Sequence, residues 1–184
     1  NNFGIHIVSG SSVGSIANNA GGTITGGSAG IGLFTSSSVT GGITNSAGGA
    51  ISGSSYGIGL ISSSLAGGIV NSGTISGYYG IVLVNGSSAD GITNQAGGTI
   101  SASRGIEIIN SSVSGDIVNN GLITASIGIH LSSAGTAGSI SRTSATRSLW
   151  RSRSRMTAVR SRTERPVALA SQRRLAAGLA VMSM

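Results

Sequence analysis

Apolar and polar positions alternate in short runs through residues 1–141, and the runs return at a regular interval. The unit Gly-Ile-x-(Leu/Ile) occurs six times: Gly4-Ile5-His6-Ile7, Gly30-Ile31-Gly32-Leu33, Gly57-Ile58-Gly59-Leu60, Gly80-Ile81-Val82-Leu83, Gly105-Ile106-Glu107-Ile108 and Gly128-Ile129-His130-Leu131. Side chains alternate across an extended chain, so the two apolar residues of each unit share one face and x lies on the other. A second element, Ile-x-Asn, keeps step, with its asparagines at Asn18, Asn45, Asn71, Asn94 and Asn119. A third apolar position follows at Ile24, Ile51, Ile75, Ile100 and Ile123. The repeat length varies between 23 and 27 residues. One loss falls in a Gly/Ser loop, where residues 45–51 shorten to the equivalent 71–75, and length changes are tolerated best in such loops.

Each repeat therefore predicts two or three short strands rich in Ile, Val and Thr, punctuated by Gly-Gly, Ser-Gly and Asn-Gly turns. No helical period is sustained before residue 141. Strands that return at this interval without intervening helices point to coils stacked in parallel. The expected fold is all-β: a right-handed parallel β-helix, or solenoid, of about six rungs. One rung cannot bury its isoleucines alone, but rungs ~4.8 Å apart pair every strand above and below. Like residues then form ladders. The isoleucines make the core, and Asn18, Asn45, Asn71, Asn94 and Asn119 make a structural amide ladder.

Charge divides the chain at about residue 141. Residues 1–141 hold one basic residue, Arg104, and three acids, Asp90, Glu107 and Asp116. Residues 142–184 hold ten arginines, one acid and one of the 32 glycines. The organisation expected is a solenoid over 1–141 and an Arg-rich segment over 142–184, disordered or partly helical. Clustered arginines suit phosphate, and Leu149, Trp150 and Met156 beside arginines suit a membrane interface. The reading adopted is a segment foreign to the repeat, of the kind a frameshift produces, and no nucleic acid is expected to bind the solenoid. Cysteine is absent, which excludes disulfides, thiolate metal sites and a cysteine nucleophile. No basic region followed by an apolar stretch is visible, so no signal peptide is expected within this piece.

The repeat at 41–60, Gly-Gly-Ile-Thr-Asn-Ser-Ala-Gly-Gly-Ala-Ile-Ser-Gly-Ser-Ser-Tyr-Gly-Ile-Gly-Leu, resembles the passenger regions of bacterial autotransporters. The resemblance covers roughly residues 1–141. It implies a stalk secreted by, or displayed on the outer membrane of, a Gram-negative bacterium, often an adhesin for host or matrix glycans and proteins. It also implies a secretion signal and an outer-membrane β-barrel, neither of which these 184 residues contain.

Several side chains invite chemical readings. Asp90 and Asp116 fall near equivalent turns, where a carboxylate pair or a shared calcium is conceivable, but solvated turn residues are the expectation. Glu107 and His130 share the outward x position of successive rungs and are expected to form an exposed pair of small energetic value. His6 occupies that position at the far end, too distant to join His130 around a metal. Tyr56, Tyr79 and Arg104 precede the glycine of three consecutive rungs, a short aromatic–guanidinium ladder that would either pack a corner or hold a sugar ring. Hydroxylic pairs Thr23/Thr25, Thr74/Ser76 and Thr99/Ser101 suggest an ice-binding rank, which Ala50/Ser52 and Leu122/Thr124 interrupt. The function expected is a non-catalytic structural or adhesive one, with no cofactor and no metal. The alternatives are a β-helical polysaccharide lyase or hydrolase and an ice- or surface-binding solenoid.

Overall fold

The computed structural model describes residues 1–142. The expectation for the Arg-rich segment lies outside the described residues, apart from Arg142. The first coil is β1 (Phe3–Ile7), β2 (Ser12–Val13), β3 (Ile16–Asn18) and β4 (Thr23–Thr25). The second is β5 (Ala29–Phe34), β6 (Ser38–Val39), β7 (Ile43–Asn45) and β8 (Ala50–Ser52). The third is β9 (Tyr56–Ile61), β10 (Ser64–Leu65), β11 (Ile69–Asn71) and the start of β12 (Thr74–Val84). The rest of β12 opens the fourth coil, which continues with β13 (Ser88–Ala89), β14 (Ile92–Asn94) and the start of β15 (Thr99–Ile109). The fifth adds β16 (Ser112–Val113), β17 (Ile117–Asn119) and β18 (Leu122–Thr124), and the sixth β19 (Ile127–Ser132) and β20 (Ile140–Arg142). The long strands arise where a corner loses one residue. Seven positions separate Ile24 from Ile31, whereas six separate Ile75 from Ile81 and Ile100 from Ile106, and these two corners stay extended while the equally short one from Ile123 to Ile129 breaks.

The architecture is an all-β parallel solenoid of about six turns, as the repeat predicts. Each strand pairs in parallel with its equivalent one coil away, forming sheets of nine, five and six strands. Register is kept residue for residue. Ile31, Ile58, Ile81 and Ile106 align in one column and are at most 1% exposed. Leu33, Leu60, Leu83 and Ile108 form a second column, and Ile43, Ile69, Ile92 and Ile117 a third. These columns meet in a single core. A one-residue slip would turn every ladder outward, so burial itself enforces the register.

The repeated glycine has a packing reason. A Cβ on Gly30 would lie 2.7 Å from the γ2-methyl of Ile51 and 2.8 Å from the carbonyl oxygen of Gly57. The same clash recurs at Gly57 against Ile75, at Gly80 against Ile100 and at Gly105 against Ile123. Each coil thus seats a methyl of its fourth strand against its own glycine, beneath the next coil's backbone. At Gly128 no described residue occupies that space. A hollow of about 60 Å³ lies there, lined by Ile123, Gly128, Ile129, Ile140 and Arg142 among others.

A serine column also lines the interior. Ser37, Ser63, Ser87 and Ser111 are 0–6% exposed at the turn after the longest strand of each coil. The backbone N–H of Ser63 donates to the Ser87 hydroxyl at 3.2 Å, and that of Ser87 to Ser111 at 3.1 Å. Each hydroxyl donates back to a carbonyl of its own turn, for example Ser87 to Val84 at 2.7 Å. The turn just before this column takes left-handed residues, including Ser9, Thr35, Ser62, Asn85, Asn110 and Ser133.

Candidate functional site on the outer face

The asparagine column is a continuous buried network. Asn18 Nδ2 donates to Asn45 Oδ1 at 2.8 Å, Asn45 to Asn71 at 2.9 Å, Asn71 to Asn94 at 2.8 Å and Asn94 to Asn119 at 2.8 Å. Every bond runs in the same sense. The first four Nδ2 groups also reach a carbonyl of their own corner, such as Asn71 to Gly73 at 3.1 Å. Among the described residues no buried side-chain nitrogen or oxygen lacks a partner. Such a network fixes one register, because a shifted rung would orphan its amides. It is a framework, closed to ligands.

Reactive chemistry gathers instead on the outside of the nine-stranded sheet. The outward x column runs His6, Gly32, Gly59, Val82, Glu107 and His130 in register. Beside it runs the column Phe3, Ala29, Tyr56, Tyr79, Arg104 and Ile127. At the first two coils Phe3 stacks on His6, with ring centroids 4.1 Å apart, and Phe34 packs edge-on against both over Gly32. At coils three and four Tyr56 stacks on Tyr79 at 5.8 Å, and Tyr78 meets Tyr79 edge to face at 4.9 Å. Tyr78 is 51% exposed, the most exposed of the large hydrophobic side chains among the described residues.

The expected exposed pair of Glu107 and His130 is corrected by a third partner. Arg104 NH1 donates to both Glu107 oxygens, at 2.6 and 2.7 Å, and His130 Nδ1 lies 3.1 Å from Oε1. Covered by these two side chains, the Glu107 side chain is 3% exposed although it points away from the core. Only a carboxylate with such partners is stable at that burial. Arg104 aligns with Tyr79 as the repeat implies, but its guanidinium turns along its own strand to Glu107. The Glu107 hydrogen bond, then its charge, hold the Arg104 pKa above the ordinary value against the opposing effect of burial, with smaller support from Tyr78 and Tyr79.

Asp90 and Asp116 each engage a different serine of the following coil. Asp90 Oδ1 accepts from the Ser114 hydroxyl at 3.0 Å, and Asp116 Oδ1 from the Ser139 hydroxyl at 2.6 Å and backbone N–H at 2.8 Å. Each carboxylate clips one turn to the next coil. Among the described residues no three His, Asp or Glu side chains gather as metal ligands. The hydroxylic flanks resolve into two columns. Thr25, Ser52, Ser76, Ser101 and Thr124 are unbroken, whereas Ala50 and Leu122 interrupt Thr23, Thr74 and Thr99.

Repeat reading overlooked two features of this surface. Tyr78 sits at a corner outside the repeat pattern, and its only signal is adjacency to Tyr79 in the shortened corner. The Arg104–Glu107 contact joins residues of one strand, which column-by-column alignment does not pair. The fold defines the class: a parallel β-solenoid carrying one chemically dense strip on its outer face. Neither a protein-family model, nor a curated protein, nor a solved structure matches the chain.

Proposed function

We propose that this chain is a stretch of extracellular, non-catalytic stalk of the autotransporter-passenger type, presenting its sheet faces to glycans or proteins of a host or matrix surface. The supporting observation is how the described charges are used. Arg104 and Glu107 neutralise one another, and Asp90 and Asp116 fasten neighbouring coils. Among the described residues no carboxylate is thereby left facing a cleft as general acid, base or metal ligand, which a lyase or hydrolase on this fold would require. What remains outward is a Gly/Ser/Thr surface on a rigid ladder, suited to spacing and contact. In this reading a membrane-anchored barrel belongs to the same protein, and the chain works outside the outer membrane.

The test is to express the chain within its native gene in the source bacterium and treat intact cells with protease. Loss of the chain from intact cells, with cytoplasmic markers spared, supports surface display. Protection until lysis rejects it. Depolymerisation of pectin or glucan by the purified chain would replace the stalk reading with the enzymatic one.

A further inference from the structure

All three tyrosines of the chain, its one basic residue before Arg142 and one of its two histidines lie in a single strip across coils three to six. In a body this poor in aromatic and charged residues, core packing does not explain that concentration. Tyr56 and Tyr79 stack on one another and so shield each other's faces. Tyr78 packs edge to face on Tyr79, turns its hydroxyl toward Arg104 and leaves half its surface in solvent. Among the described residues no second ring stacks on its face.

Polar groups flank that face in a fixed order. Glu107 engages one terminal nitrogen of Arg104, whereas a guanidinium carries five N–H donors. Glu107 Oε1 accepts from His130 Nδ1–H, which leaves Nε2 on the opposite side of the ring for a second hydrogen bond. Tyr78, Arg104 and His130 belong to the fourth, fifth and sixth coils, so the strip spans ~10 Å along the stack at ~4.8 Å per coil. The rung spacing is close to the length of one pyranose unit. Because Glu107 cancels the Arg104 charge, the strip is neutral overall and does not select an anionic ligand.

We infer that this strip is a binding site for a neutral hexose polysaccharide, with a pyranose face on Tyr78 and ring hydroxyls on Arg104 and His130. This deepens the adhesive reading above and rests on it. Glu107 is a positioning residue: it holds Arg104 and His130 in place, and it touches no sugar.

The test uses the full chain against three soluble neutral polymers (a β-linked glucan, a mannan and a galactan), with polygalacturonate as the anionic control, by calorimetry. The expected result is saturable binding to a neutral polymer that survives 0.5 M salt and weakens about tenfold or more in Tyr78→Ala. Tyr78→Ala should keep the parent melting temperature because the ring is half exposed, and Tyr78→Phe should retain binding. Failure to bind any of the three polymers overturns the inference, as does binding that Tyr78→Ala leaves unchanged. Binding confined to polygalacturonate and abolished by salt also overturns it, and assigns the contact to the arginines of 142–184. Surface display that persists while neutral glycans fail to bind removes this site and leaves the stalk reading intact.

Discussion

Gly80 and Ile100 share one volume: the space a Cβ would need on Gly80 is filled by the γ2-methyl of Ile100, with the Gly105 carbonyl oxygen 2.6 Å away. Gly80 is buried, and so is Ile100, so a Cβ there must displace a packed side chain and the next coil's backbone. Gly80→Ala is therefore expected to destabilise by about 2–3 kcal/mol through overpacking. Gly128 is the control, since a Cβ there meets no described residue within 4 Å. Gly128→Ala is expected to be neutral or to stabilise by up to ~1 kcal/mol through a stiffer unfolded chain. Denaturant unfolding of the two variants checks this. Equal losses at both positions would show that the glycine serves something other than its methyl neighbour.

Asn71 stands in the middle of the amide ladder and is fully buried. Asn71→Ala removes the acceptor of Asn45 and the donor to Asn94, leaving both neighbours short of one partner in a water-free interior. An orphaned buried polar group costs about 1–3 kcal/mol, so a loss of roughly 2–5 kcal/mol is expected. Asn18 lies at the end of the ladder and is 5% exposed, so Asn18→Ala should cost visibly less. Thermal melts of the two variants settle the order, and a larger effect at Asn18 would contradict a ladder acting as a unit.

The parts of this molecule that depend on repetition are plain in its sequence. The isoleucine columns, the asparagine column and the parallel register all follow from residues that recur in step, because stacked coils force like onto like. The serine column was hidden by composition. Serine is everywhere in this chain, and nothing local distinguishes Ser87, buried at 1%, from a solvated turn serine. Glu107 was misjudged for a related reason. Alternation places it correctly on the outer face, but an outward position is exposed only if its neighbours are small. Here Arg104 and His130 close over it, and their reach is a property of side-chain length that periodicity does not carry. Tyr78 escaped because corners vary in length, which shifts residues out of any repeat alignment.

Thr35 adopts φ of 55°, a left-handed conformation that is costly for a β-branched residue. The column running through it holds Asn85 and Asn110, both left-handed, and asparagine tolerates that region. The Thr35 side chain is exposed, so its replacement disturbs no packing. Thr35→Asn is expected to stabilise by about 1 kcal/mol, read as a higher melting temperature with unchanged circular dichroism. A fall in stability would mean that the threonine makes a compensating contact.

Asp116 ties coil five to coil six and sets the acid limit of that junction. The Ser139 hydroxyl and, next, its backbone N–H hold the carboxylate pKa below its ordinary value, outweighing a small opposing effect of burial. The folded pKa is thus depressed relative to the unfolded chain, and in the window between them the unfolded state binds more protons. The contribution is complete above the unfolded value of about 3.9 and is lost as pH falls through the folded one. Melting curves between pH 7 and pH 2 should show the parent losing stability below about pH 4. Asp116→Asn should start from a lower plateau and show a shallower acid decline, because the amide does not titrate. Ser139→Ala removes the hydroxyl donor but keeps the backbone N–H, so its curve should fall between the two. If the acid decline of Asp116→Asn ran parallel to that of the parent, the pH dependence would have to reside in another carboxylate.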